Sequence, residues 1–242
     1  MRLTVVGCSP AWPNAGGAHS GYLLEGRGAL LLDCGPGVLA RLRAGGGWPE
    51  LDAIAITHFH LDHWGDLVPW VWGALYLDGR RSAPAAPELW VPAGGRGRLE
   101  RLGELLGFPD MFERVFGLHE YEPGRPFEAA GYTVTAVRVP HYRVEAYALR
   151  VTDGSRALAY SGDSAPSDAL VELARGADLF LCEATLAAGE LDGDPRGHLS
   201  VDEAAAAFRA SGAARLLVTH RPSELPAGPG VELAYDGLVC EV

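Results

Sequence analysis

The stretch Thr57-His58-Phe59-His60-Leu61-Asp62-His63 directly follows an apolar run, Leu51-Asp52-Ala53-Ile54-Ala55-Ile56. Three of the chain's eight histidines fall within these positions, with a carboxylate between the last two. The apolar run predicts a strand that delivers its loop to a sheet edge. Side chains alternate at a strand end, and a bending loop can turn all four polar groups the same way. Imidazole and carboxylate donors suit zinc and similar first-row dications. A merely solvated polar loop is the bland alternative, and the strand-then-cluster context disfavours it.

Working outward, further candidates share that placement. His141 follows Val137-Arg138-Val139-Pro140, Asp163 follows Leu158-Ala159-Tyr160-Ser161-Gly162, His220 follows Leu216-Leu217-Val218-Thr219, and Asp33 ends Leu30-Leu31-Leu32. Sites in layered α/β proteins gather where strand ends meet. Singly, a His after a strand is more often a core or capping residue, and an Asp before Gly a turn former. Four such positions together with the cluster are hard to ascribe to turns.

The remaining pattern bounds the architecture. Arg2–Gly7, Ser20–Glu25, Ala29–Asp33, Leu51–Thr57, Glu88–Val91, Tyr132–Pro140, Ala146–Thr152, Ala157–Ser161, Asp178–Cys182 and Ala214–Thr219 read as strands. Val38–Ala44, Trp64–Leu77, Arg96–Leu106, Ser167–Arg175 and Val201–Ser211 read as helices, the second despite Pro69. Gly26-Arg27-Gly28 and Asp153-Gly154 mark hairpins. The Pro/Gly-rich stretch from Glu224 onward has no clear pattern. The order is β-rich, helical, β-rich again, then alternating. Two mixed sheets flanked by helices, an α/β/β/α sandwich, satisfy it. The 32 glycines and 17 prolines fall between short segments, so residues 1–242 are expected to form one domain.

The 242 residues, 48% of them hydrophobic, can bury a sizeable core. With 31 acidic against 20 basic side chains the net charge is -11. Such a chain is a poor general partner for nucleic acid, which is bound through Lys and Arg, or for an anionic membrane. It does not exclude a small anionic substrate, because bound dications can dominate the local field. No stretch approaches the ~20 apolar residues of a membrane span. Met1–Gly7 reads as a strand rather than a signal peptide. The scattered Cys8, Cys34, Cys182 and Cys240 read as reduced thiols, which points to the cytoplasm.

The ordered set Asp33, His58-x-His60-x-Asp62-His63, His141, Asp163 and His220 resembles the five motifs of the metallo-β-lactamase superfamily, over about residues 2 to 220. That resemblance implies the sandwich fold named above and two divalent ions, zinc first, with manganese or iron as alternatives. It implies that His58, His60 and His141 hold one ion, that Asp62, His63 and His220 hold the other, and that Asp163 bridges them. Asp33 would orient the cluster from behind, as ligating imidazoles usually require.

Finer motifs point to a branch. Asp33-Cys34-Gly35-Pro36-Gly37 is similar to the DCG-type turn of RNase Z and phosphodiesterase relatives, and Tyr160-Ser161-Gly162-Asp163-Ser164 to their SGDT/S motif. Glu183-Ala184-Thr185 resembles the EAT of their HEAT motif, and Gly197-His198-Leu199-Ser200 their late His–Ser motif. The resemblance implies that His198 donates a proton or stabilises an oxyanion, with Glu183 fixing its tautomer; Ser200 also reads as a helix N-cap. The flavo-diiron branch carries a carboxylate where His60 stands here. RNase Z carries a long tRNA-gripping arm after the His141 motif, whereas here Tyr147–Val151 turns straight into Ala157–Tyr160. That departure and the charge argue against tRNA.

The whole-chain likeness is to small bacterial atypical class II cyclic-nucleotide phosphodiesterases. It implies a small phosphoester substrate, attacked by a metal-bridged hydroxide that Asp62 helps position, with His198 serving the leaving group. Rival expectations are hydrolysis of carboxylic ester, lactone or sulfate ester on the same metals, and a metal-bearing binding protein without turnover. Family habit suggests a homodimer. Of the remaining residues, His19 borders the pocket or sits in an ordinary loop, His119 reads as surface, and Trp64, Trp70 and Trp72 read as packing. Arg80, Arg81, Arg96, Arg98 and Arg101 read as a solvated basic face that could touch a phosphate.

Overall fold

The computed structural model describes residues 1–77, 86–189, 192–226, 228 and 230–242; Arg80 and Arg81 lie outside them. In chain order the first half gives β1 (Arg2–Gly7), β2 (Gly21–Glu25), β3 (Leu30–Leu32), α1 (Val38–Leu42), β4 (Ala53–Ala55), α2 (Leu61–Trp64), α3 (Leu67–Tyr76), β5 (Glu88–Pro92), α4 (Gly95–Leu105) and β6 (Gly117–Tyr121). The second half gives β7 (Phe127–Ala129), β8 (Tyr132–Val139), β9 (Ala146–Thr152), β10 (Ala157–Tyr160), α5 (Asp168–Leu173), β11 (Leu179–Glu183), α6 (Val201–Ser211), β12 (Leu216–Thr219) and β13 (Val239–Glu241).

These strands build two mixed sheets, in the orders β13-β1-β2-β3-β4-β5-β6 and β12-β11-β10-β9-β8-β7. Strand periodicity then sorts the apolar side chains into three cores. Leu30, Leu32, Ala53 and Ala55 face the second sheet, where they meet Val134, Leu149, Leu158 and Leu181. Leu31 and Ile54, one residue out of phase, face α1 and α3 and pack with Val38, Leu67, Trp70 and Val71. On the other side Phe180 and Cys182 face α5 and α6, with Leu170, Leu173 and Ala204. Helix, sheet, sheet, helix is the expected sandwich.

Within each sheet the parallel run sets the site. β3, β4, β5 and β6 pair in parallel, as do β10, β11 and β12. β8 is antiparallel to β9, which is antiparallel to β10, so β8 and β10 share a direction. The chain therefore leaves β3, β4, β8, β10, β11 and β12 at C-terminal ends that meet along one rim. A bridge between His58 and Ala146 ties the two sheets together there.

Some expected elements are corrected. The helix expected over Trp64–Leu77 is two, α2 and α3, broken at Gly65-Asp66, where Asp66 turns back to accept the Leu39 amide at 2.7 Å. Pro69 sits in the first turn of α3, where its missing N–H costs nothing. The short edge strands β6, β7 and β13 have no counterpart in the sequence reading; β13 exists because β1 offers it a free edge. All four cysteines are free thiols. No helix among the described residues is long and apolar enough to cross a membrane.

Candidate metal centre

His58, His141, Asp163 and His220 stand just past strands on the rim, while His60 caps α2 and Asp62 and His63 lie within it. Ligand atoms of His58, His60, His141 and Asp163 lie within 4.8 Å of one another, and so do those of Asp62, His63, Asp163 and His220. Asp163 belongs to both groups. Its Oδ2 is 3.2 Å from His63 Nε2 and 3.7 Å from the Nε2 atoms of His58 and His141, and its Oδ1 is 3.5 Å from His220 Nε2. Asp62 Oδ2 is 3.2 Å from His63 Nε2 and 3.1 Å from His220 Nε2. His60 is half-buried at the mouth, with Nδ1 2.9 Å from His141 Nε2.

The outer ring nitrogens show which way the histidines face. His63 Nδ1 lies 2.7 Å from Asp33 Oδ2, an acceptor only, so that nitrogen carries the proton. Thr57 gives its single hydroxyl proton to the same carboxylate, at 2.9 Å, so its oxygen accepts from His58 Nδ1 at 3.0 Å. Thr185 Oγ1 donates to Glu183 Oε2 or to the His220 carbonyl, at 3.0 Å each, and accepts from His220 Nδ1 at 3.0 Å. His141 Nδ1 donates to the Gly197 carbonyl at 2.8 Å. Four rings are thus held to present an Nε2 lone pair inward.

That lone-pair display is the test of whether a metal fits. His58 Nε2, His63 Nε2 and Asp163 Oδ1 are buried without a hydrogen-bond partner. Buried polar atoms are seldom left so, and here they converge on one place. Among the described residues, Asp62 and Asp163 meet only histidines as cationic partners. The electrostatics agree. Burial would raise both carboxyl pKa values, but His63 and His220 outweigh it and hold them below the ordinary range. Burial depresses His58, His60 and His141, whereas Asp163, Asp33 and Asp62 lift His63 against the same penalty. A nitrogen- and oxygen-donor cage carrying surplus negative charge accommodates divalent metal.

Backbone geometry supports the cage. Asp33, Tyr142 and His220 have φ of +59°, +48° and +50°, values that non-glycine residues seldom adopt. Gly162, at φ +55°, could not be another residue without strain: a Cβ would lie 2.7 Å from the Tyr147 carbonyl. Strained positions concentrate where a structure over-determines a site.

Beside the cage, His198 Nδ1 donates to Glu183 Oε1 at 2.8 Å. Glu183 is fully buried and also accepts the amides of Ser164 and Thr185, each at 3.0 Å. Burial depresses His198, but Glu183 dominates and its pKa stands at about 9. The His198 ring centroid is 4.9 Å from that of His141 and 5.8 Å from that of His220. Ser200 caps α6 in a box with Glu203. Asp33 also accepts the Tyr160 hydroxyl at 2.8 Å and the Thr57 amide at 2.8 Å.

All ten expected residues, Asp33, Glu183 and His198 included, are therefore together. Thr57, Thr185 and Tyr160, quoted within motifs but given no role in the sequence reading, hydrogen-bond these residues; their signal was a hydroxyl one to three residues from a candidate site residue, which is common elsewhere too. His19 hydrogen-bonds the Pro36 carbonyl at 3.1 Å. His119 is exposed and stacks on Trp90 at 4.5 Å. Trp64 and Trp70 are core. Arg96 pairs with Glu113, and Arg98 lies over the Phe59 ring at 5.5 Å.

Comparison with known proteins agrees. YhfI of Bacillus subtilis, described as a probable metallo-hydrolase, is 33% identical over 227 residues, covering 92% of this chain and 87% of YhfI. The crystal structure of the metallo-β-lactamase fold protein YhfI is similar at TM-score 0.83 and 29% identity over 99% of each chain. A ribonuclease Z of Myxococcus xanthus is 29% identical over 307 residues, covering 100% of this chain and 98% of its own. The short form of human tRNase Z is similar at TM-score 0.78 and 25% identity, covering 100% and 99%. A family model described as a β-lactamase superfamily domain matches residues 29–221. With that match added to the fold and the cage, the chain belongs to the β-lactamase superfamily.

Proposed function

We propose that the chain is a metal-dependent hydrolase that holds two divalent ions, zinc first with manganese or iron as alternatives, and cleaves small phosphodiesters such as cyclic nucleotides. The observation that carries the reading is the shared position of Asp163, whose two oxygens serve both donor groups. His58, His60 and His141 would hold one ion, Asp62, His63 and His220 the other, and Asp163 both. Bound dications would supply Lewis acidity and an acidified water at neutral pH.

The chain's own residues do the rest. Asp33, Thr57, Thr185 and the Gly197 carbonyl orient the imidazoles. Asp62, kept anionic by His63 and His220, positions the attacking water by accepting its hydrogen bond. His198, held protonated by Glu183, gives its Nε2 proton to the departing alkoxide. Residues 1–242 act as one cytoplasmic domain. Support for a small substrate comes from the hairpin between β9 and β10, which turns at 153–156 with no room for an arm. The ribonuclease Z relative needs an alignment of 307 residues against 242 here, so it carries segments without counterpart in this chain.

The test is a hydrolysis panel on pure metal-loaded protein: bis(p-nitrophenyl) phosphate, cyclic nucleotides, carboxylic esters, lactones and sulfate esters. Metal-dependent phosphodiester cleavage is expected. Cleavage confined to the other esters reassigns the substrate, and silence across the panel reassigns the chain as a binding protein.

A further inference from the structure

His198 lies between β11 and α6, and the Glu183 side chain hydrogen-bonds its ring. Something else must hold its main chain. The segment meets Tyr142 at every level. The Tyr142 amide donates to the Arg196 carbonyl at 3.2 Å, and its hydroxyl donates to Asp192 Oδ2 at 2.8 Å. Asp192 Oδ1 in turn accepts the Gly197 amide at 3.0 Å. The Tyr142 ring lies so close over Gly197 that a Cβ there would be 2.4 Å from it. The neighbour, His141, donates to the Gly197 carbonyl at 2.8 Å. Behind these, Arg196 Nε donates to the His198 carbonyl at 3.0 Å.

Tyr142 reaches this pose at φ +48°, a left-handed conformation that strains a bulky L-residue. Contacts elsewhere must offset that strain, and those with Asp192, Arg196 and Gly197 are among them. The ring also stands edge-on to His198, 5.5 Å between centroids at 81°, and 4.8 Å from His141. One side chain thus touches a candidate metal ligand and the loop that carries the candidate acid.

We propose that Tyr142 is a positioning residue: through Asp192 and Gly197 it sets the main chain of His198 relative to His141, while Glu183 sets only the ring. The proposal rests on the hydrolase reading for its kinetic arm. A second arm does not depend on turnover.

The experiment compares Tyr142→Phe and Asp192→Asn in the wild-type and His198→Ala backgrounds. With cyclic AMP, whose alkoxide leaves poorly, Tyr142→Phe lowers kcat about tenfold at unchanged KM and metal content. With bis(p-nitrophenyl) phosphate, whose leaving group needs little protonation, the loss is under twofold. In the His198→Ala background neither variant lowers kcat further. Independently of activity, amide exchange at Gly197 speeds up about tenfold in both variants, while exchange at Ser164, on the far side of Glu183, does not change. An equal kcat loss with and without His198, or unchanged Gly197 exchange, overturns the proposal. If wild type cleaves no phosphodiester, the substrate reading fails, and the exchange data alone decide the clamp.

Discussion

Asp33→Asn is the sharpest single perturbation of the centre. Asparagine is nearly isosteric with aspartate and tolerates the left-handed φ of +59° at this position, so the backbone is kept. What changes is hydrogen-bond polarity. If the amide oxygen keeps the Thr57 N–H at 2.8 Å, the NH₂ takes the seat of Oδ2. That seat faces His63 Nδ1 at 2.7 Å, the Tyr160 hydroxyl at 2.8 Å and the Thr57 hydroxyl at 2.9 Å. Hydroxyls can rotate and accept; an imidazole N–H cannot. His63 must take the other tautomer, with its proton on Nε2, where the lone pair should face the metal. Loss of such an orienting partner weakens metal binding by about 10–100-fold, equivalent to roughly 1.4–2.8 kcal/mol. At saturating zinc the loaded protein loses the same amount of stability, or roughly 3–11 °C in Tm for a chain of this size. The assay is zinc competition against a fluorescent chelator, read beside thermal melts with and without zinc. Zinc affinity of the Asn variant within twofold of wild type would refute the tautomer argument.

Other expectations follow from the same geometry. His198→Ala keeps its metal by elemental analysis and loses about 10²–10⁴ in turnover on poor leaving groups. The His198 pKa is raised, to about 9, so the proton-donating form is present below that value and is lost as pH rises through it. Bound dications disfavour the imidazolium, so the alkaline limb of the rate profile falls at or below about 9, and Glu183→Gln moves it to lower pH. Thr185→Val removes the acceptor of His220 Nδ1 and a donor to Glu183, so chelator competition should show about tenfold weaker metal binding and urea melts about 1–3 kcal/mol less stability. Gly162→Ala meets the Tyr147 carbonyl and an unfavourable φ, destabilising by about 1–3 kcal/mol in urea melts and loosening Asp163. Stripping metal with a chelator lowers Tm, because it leaves His58 Nε2, His63 Nε2 and Asp163 Oδ1 buried and unpaired.

The layers were legible because strand and helix periodicity differ. Leu30, Leu31 and Leu32 alternate between two cores, and Val201–Ser211 matches α6 residue for residue. The His58–His63 cluster was legible because its ligands are local. Elements that owe their existence to a partner were not: β13 is three residues on the edge of β1, and α2 ends where Asp66 is recruited by Leu39.

The chain's own order of residues determines which donors exist and that each follows a strand; ligand chemistry and alternation are local properties, so Asp33, the 58–63 run, His141, Asp163 and His220 could be named before any coordinates. Which nitrogen each histidine turns inward is another matter. That choice belongs to Thr57, Thr185, Asp33 and the Gly197 carbonyl, and for His198 to Glu183. Several of these partners lie tens of residues from the ring they orient. A hydrogen bond acts over about 3 Å, so only the packing of the two sheets could decide it.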